Sequence, residues 1–145
     1  ECHYRPGSRL HHVTYRLNGM IFGIGVDIIA VSRISVLEKT EDPFFSSVFT
    51  HREREEAASQ KDPVAYYAGR FAAKEAVYKS LRLHGDARFN EIEVLAGRSG
   101  APEAHLSGAL LEHAKKQGIS QIHISISHET DYAISYAIAE TGDQP

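Results

Sequence analysis

A carboxylate in the apolar stripe of a helix is costly to bury, and residues 69 to 81, "GRFAAKEAVYKSL", put one there. Read as a helix together with the preceding "DPVAYYA", Val64, Ala68, Phe71 and Ala72 share one face at amphipathic spacing. Glu75 falls within that face, four residues after Phe71 and three after Ala72, and Lys79 follows one turn later. An ion placed there must be paired, hydrogen-bonded or bound to a cation, because burial strips its hydration. The fold has to supply that partner.

The surrounding sequence says what kind of fold is available. From Ile21, "IFGIGVDI" is rich in β-branched residues and glycine and reads as a strand ending at Asp27. "AVSRISVLEKT" has helical spacing, and "PFFSSVFT" reads as a short connecting segment. Thr50 and Glu53 form a capping box ahead of "REREEAAS". Asp62 followed by Pro63 is an N-cap with proline at N1, opening a long helix that runs to about Leu83 and stops near Gly85. "EIEVLAG" and Glu103 to Leu106 read as strands around the turn "GRSGAP"; Ser107 can cap "GALLEHAKKQ", which Gly118 closes. Ile122, Ile124 and Ile126 alternate with polar residues as in a half-buried strand, "HETD" turns the chain, and "YAISYAIA" returns as its partner. Strands and helices do not alternate strictly, so the class is α+β.

A chain of 145 residues with 42% hydrophobic content supports one domain with a core. Residues 1–19 show no sustained period and read as an expression leader or a loosely ordered extension, leaving 20–145 as the single domain. The net charge of -3 gives no basic footprint for nucleic acid. The single cysteine, Cys2, forms no internal disulfide, which suits a reducing cytoplasm. No apolar run approaches the ~20 residues of a membrane span.

Three positions carry chemistry. Asp27 ends a strand otherwise made of apolar residues and glycine, and on local sequence it equally reads as a helix N-cap. Glu75 has Arg70, Lys74 and Lys79 nearby; Lys79 at i+4 makes an ordinary helical ion pair an alternative to a ligand role. His128 follows "SIS" and reads as either a turn residue or a catalytic one. Two separated carboxylates with Arg and Lys around them suit Mg²⁺ bridging a phosphate group, since that ion takes one or two carboxylates and completes its shell with water and substrate oxygens. No GxxxxGK[ST] or GxGxxG loop is present, and the histidines show no zinc-ligand spacing.

"FGIGVDIIAVSRI", "FT", "GRFAAKEAVYKSL", "IEV" and "ISISHETDYAISYAI" occur in the order and at roughly the spacings of the holo-acyl-carrier-protein synthase family. That family is the short, bacterial type of 4′-phosphopantetheinyl transferase, and the resemblance runs from Ile21 to Glu140. It implies an antiparallel sheet packed against a long central helix. It also implies transfer of the phosphopantetheine arm of coenzyme A to a serine of an apo acyl carrier protein in fatty-acid biosynthesis, with adenosine 3′,5′-bisphosphate leaving. Asp27 and Glu75 match the family's Mg²⁺ ligands, and Lys79 matches its lysine near the phosphates. Arg70 and His128 match contacts to the phosphorylated adenosine end, Lys74 is grouped with these coenzyme-binding positions, and Pro102 matches the turn against the nucleotide. Arg33 matches a basic position that docks the acidic carrier. Glu75, through a bound water, stands first as general base and His128 second. The family's short members are homotrimers with sites between subunits. Ala101, where many members have lysine, and "LRLHGD", in place of a glycine-rich helix end, are departures. Two rival functions share the residues: a Mg²⁺-dependent nucleotide pyrophosphohydrolase, and a non-catalytic carrier-binding module.

Overall fold

Eleven residues of strand open the domain. The computed structural model describes residues 19–40 and 42–142, so the leader reading for 1–19 falls almost wholly outside the described residues. Strand β1 (Met20–Ala30) leads into helices α1 (Val31–Lys39), α2 (Pro43–Val48) and α3 (His51–Ala58), then the long α4 (Pro63–Ser80). The hairpin β2 (Ile92–Ala96) and β3 (Pro102–Leu106) follows, then α5 (Gly108–Lys116), β4 (Ile119–His128) and β5 (Tyr132–Thr141). Three strands form an antiparallel sheet in the order β1-β5-β4, with β2 and β3 as a separate antiparallel pair. This is the expected α+β arrangement with α4 at its centre.

Glycine decides how closely helix and sheet approach. A Cβ on Gly25 would stand 1.8 Å from the Ala76 carbonyl oxygen, and one on Gly23 would stand 2.2 Å from that of Ser80. A Cβ on Gly69 would come within 2.9 Å of Ile126 on β4. The C-terminal half of α4 therefore rests on β1, while its N-terminal half rests on β4. Ala68, Ala72, Ala73, Ala76 and Val77 fill the contact and are fully buried.

Several local expectations change. "PFFSSVFT" is not a plain connection: Asp42 caps α2 by accepting from Phe44 N at 2.8 Å, and proline follows at N1. β1 continues three residues beyond Asp27, so Asp27 is a strand residue and not a helix cap; Ala30 occupies the α1 cap position. α4 ends at Ser80, short of Leu83, where Arg82 takes a left-handed φ of 56°. Ser107 makes no side-chain cap to α5. Glu91 reaches it from the preceding segment instead and accepts from Leu110 N at 2.9 Å, and these backbone donors hold its carboxyl below the usual range. The capping box of Thr50 with Glu53 and the N-cap of Asp62 form as read.

Candidate active site

Adjacent residues of α4 have opposite fates. Lys74 is wholly buried, its Nζ 2.8 Å from Glu53 Oε2 and donating to the carbonyls of Val48 (2.8 Å), Phe89 (3.1 Å) and Ile92 (2.6 Å). Glu53, equally buried, also accepts from Thr50 N and Val94 N. An ammonium has three N–H groups, and all are spent on the interior. Grouping Lys74 with the coenzyme contacts is therefore corrected: it ties α4 to α3 and to the start of β2 and has no donor left for a ligand. Desolvation lowers its pKa, opposed by Glu53.

Glu75, one residue on, turns toward β1. Its carboxyl is pushed above the ordinary range, first by burial and next by the charge of Asp27, against the lowering influence of Lys79 and Arg33. Asp27, Lys79 and Arg33 thus lie within electrostatic reach of Glu75. Asp27 comes from the sheet, Glu75 and Lys79 from α4, and Arg33 from the exposed face of α1. Lys79 does not pair with Glu75, so the i, i+4 ion pair read from the sequence is not formed; its Nζ is 3.1 Å from Asp27 Oδ1 and donates to the Val26 carbonyl at 2.9 Å. Lys79 is half exposed, so this pair is weak and easily exchanged for a ligand.

Asp27 and Glu75 supply hard carboxylate oxygens, the donor type that Mg²⁺ takes, and are the residues that would hold such a cation. No third His, Cys, Asp or Glu joins them among the described residues. The remaining ligands would have to be water or substrate oxygens.

Arg70 and His128 lie elsewhere. They line a cavity of about 280 Å³ with Gly69, Tyr66, Lys61 and Ile126, on the β4 side of α4. Arg70 and Glu75 are five positions apart, about 140° around the helix and about 7.5 Å along it. His128 pairs with Ala133, which pairs with Ile29, so His128 is two strands away from the strand of Asp27. Pro102 opens β3 and borders a groove with His123 and Ile124, again on the β4 side. One chain thus carries the two halves of the expected site on opposite flanks of its central helix.

Sequence reasoning missed what holds Arg70. Glu56 Oε1 accepts from Arg70 Nη2 at 3.0 Å and from Tyr66 OH at 2.8 Å, while Ala96 N donates to both Glu56 oxygens. The guanidinium lies over the Tyr66 ring, 4.1 Å from its centre. The i, i+4 spacing of Tyr66 and Arg70 was a usable signal; nothing local announces Glu56.

A sequence model of the 4′-phosphopantetheinyl transferase superfamily matches residues 23–137. The chain belongs to that superfamily. Holo-[acyl-carrier-protein] synthase of Natranaerobius thermophilus is 39% identical over 121 residues, 82% of this chain and 97% of that protein. The fold matches the crystal structure of the Neisseria meningitidis holo-[acyl-carrier-protein] synthase at TM-score 0.75 and 35% identity, covering 84% of this chain and all of that one. A holo-(acyl-carrier-protein) synthase from Bacillus anthracis, in complex with CoA (3′,5′-ADP), matches at TM-score 0.68 and 34% identity over 85% of this chain and 99% of that one. Among the described residues no helix is long and apolar enough to cross a membrane.

Proposed function

We propose that this chain transfers the 4′-phosphopantetheine arm of coenzyme A to a serine of an apo acyl carrier protein. The convergence of Asp27 and Glu75 from a sheet and a helix, with Glu75 left short of compensating charge, carries this reading. The related synthases, one of them bound to CoA, supply the substrate class.

Asp27 and Glu75 would hold Mg²⁺ against the diphosphate, and the ion supplies charge neutralisation there. Lys79 exchanges its half-exposed contact with Asp27 for phosphate oxygens. The serine Oγ attacks the β-phosphorus, and the bond from that phosphorus to the bridging oxygen breaks. Adenosine 3′,5′-bisphosphate leaves with the electron pair. Glu75 takes the serine proton, directly or through water, with His128 on the β4 flank of the neighbouring protomer as the second candidate. Arg70 and His128 receive the phosphorylated adenosine end, with Pro102 on the same side of the molecule. Arg33, exposed on α1 and within electrostatic reach of Glu75, docks the acidic carrier where its serine must arrive.

The separation of the two half-sites supports assembly as a homotrimer. Antiparallel sheets that face water usually present polar residues. Here the face of the β1-β5-β4 sheet away from α4 shows Ile24 (68% exposed), Ile28 (61%) and Tyr136 (58%), with Val26 and Ile138 between them. An apolar patch of this kind marks an interaction surface. Burial of that face between copies would let the β1 flank of one protomer meet the β4 flank of the next and complete the site. The single cysteine, outside the described residues, suits a cytoplasmic enzyme.

Incubation with coenzyme A, Mg²⁺ and apo carrier, followed by intact mass, tests the reading. Expected is a carrier heavier by one phosphopantetheine, only when the metal is present. Breakdown of coenzyme A without carrier would instead identify a pyrophosphohydrolase, and absence of either product would leave a carrier-binding module.

A further inference from the structure

The cavity beside α4 contains a cation whose orientation is set by two residues that the transfer reaction does not touch. Arg70 is mostly buried, with its side chain 14% exposed, and its Nε is buried without a partner among the described residues. A buried guanidinium N–H left unmade is unfavourable, so the fork is held there by something stronger. Glu56, from α3, grips Nη2 through a charge-assisted bond of 3.0 Å. Tyr66, one turn before Arg70, carries the guanidinium over its ring and is itself anchored to the same Glu56 oxygen. Ala96 N fixes that carboxylate from β2. Burial and the bond to Glu56 raise the Tyr66 pKa, so the hydroxyl stays a donor throughout the working range. Arg70 lines the wall of a cavity of about 280 Å³ that Lys61 and His128 also line.

We propose that Glu56 and Tyr66 are positioning residues that pre-orient Arg70 for the 3′-phosphate of coenzyme A, making this chain discriminate coenzyme A from 3′-dephospho-coenzyme A. The proposal rests on reading the Arg70 cavity as the adenosine-phosphate subsite. Glu56 acts through Arg70 alone, since a carboxylate repels the phosphate directly. That repulsion gives the test a sign. If Glu56 only sets local charge, removing its charge tightens coenzyme A. If it positions the guanidinium, removing it frees a long side chain that binding must then order again, and coenzyme A weakens. Ordering one such side chain corresponds to about three- to tenfold in affinity.

The experiment compares KM for coenzyme A and for 3′-dephospho-coenzyme A in the intact enzyme and in Glu56→Gln, Tyr66→Phe and Arg70→Met, with thermal melts to confirm folding. Expected for Glu56→Gln is a KM for coenzyme A raised about three- to tenfold, an unchanged KM for the dephospho compound, and the loss in KM rather than kcat. Tyr66→Phe, which keeps the ring under Arg70, should show the same pattern at about two- to threefold. A KM for coenzyme A that falls or stays constant in Glu56→Gln overturns the positioning role, as does an equal rise for both compounds. If Arg70→Met removes the preference while the other two variants keep it, the subsite stands and the positioning proposal fails. Should Arg70→Met itself leave the preference intact, the subsite reading fails and takes the proposal with it.

Discussion

Lys79 Nζ lies 3.1 Å from Asp27 Oδ1 and not on Glu75, the carboxylate one helical turn before it. The lysine thus compensates the strand residue, and Glu75 is left with its charge only partly offset. Such an arrangement is unfavourable for the empty protein and suits one that receives a cation. It recasts the ordinary i, i+4 ion pair read from the sequence as a contact between a helix and the edge of a sheet.

Glu75→Gln should therefore stabilise the fold while removing activity. The folded-state pKa of Glu75 is raised, so its ionised form is disfavoured in the native protein. A raised pKa means stability fully present below the unfolded carboxyl value, about 4.3, and lost as pH rises through the folded value. At pH 7 the neutral amide avoids that loss, so the variant's Tm should exceed that of the parent in metal-free buffer. The difference should vanish as pH falls below about 4. Turnover should drop on the order of a hundredfold or more, the scale of one preorganised electrostatic contact. Melts across pH beside kcat measurements check both parts; a destabilised but active variant would contradict the site.

Lys74→Met should be severely destabilising, by about 3–5 kcal/mol, because it leaves the Glu53 carboxylate buried without its counter-charge. Adding Glu53→Gln should recover part of that loss, since the charge goes and the amide oxygen still accepts. Urea denaturation of the single and double variants measures the recovery.

Gly25→Ala inserts a methyl 1.8 Å from the Ala76 carbonyl oxygen, a backbone atom that cannot swing aside. β1 must then move off α4, carrying Asp27 away from Glu75. Overpacking of this kind costs about 1–3 kcal/mol or more. The expected result is a lowered Tm together with weakened Mg²⁺ dependence, read from melts and from activity against metal concentration.

Ile24→Glu or Tyr136→Glu places charge on the apolar outer face of the sheet without touching the core under α4. On the proposed trimeric assembly, sedimentation should show monomers for these variants and trimers for the parent. Transfer activity should fall with the assembly, because the proposed site joins the β1 flank of one chain to the β4 flank of the next. A monomeric variant with full turnover would refute the shared site.

Arg33→Glu should raise KM for the carrier far more than KM for coenzyme A, and the carrier KM of the parent should climb with salt. Steering of an acidic partner by an exposed cation is screened over about 8 Å at physiological ionic strength. Titration of both substrates at two salt concentrations separates docking from a general loss.

Local pattern determined much of this protein. Alternating isoleucines marked β4, the Thr50–Glu53 capping box and the Asp62–Pro63 pair marked where α3 and α4 begin, and the apolar stripe of α4 singled out Glu75. These signals are readable because strand alternation, helical periodicity and capping involve residues within a few positions of one another. Only tertiary structure decided the rest. Nothing within a turn of Lys74 announces that it is wholly buried and bonded to the interior. The roles of Lys74 and Glu75 diverge because α3 brings Glu53 to one side of α4 and β1 brings Asp27 to the other. Glu91 took the cap of α5 from Ser107 by the same kind of contact at a distance. The separation of Arg70 and His128 from Asp27 and Glu75 follows from α4 crossing the sheet from β4 to β1, a path set by close approach at Gly69, Gly25 and Gly23. Glycine spacing permits such an approach, but the partner atoms it admits are chosen only when the chain is packed.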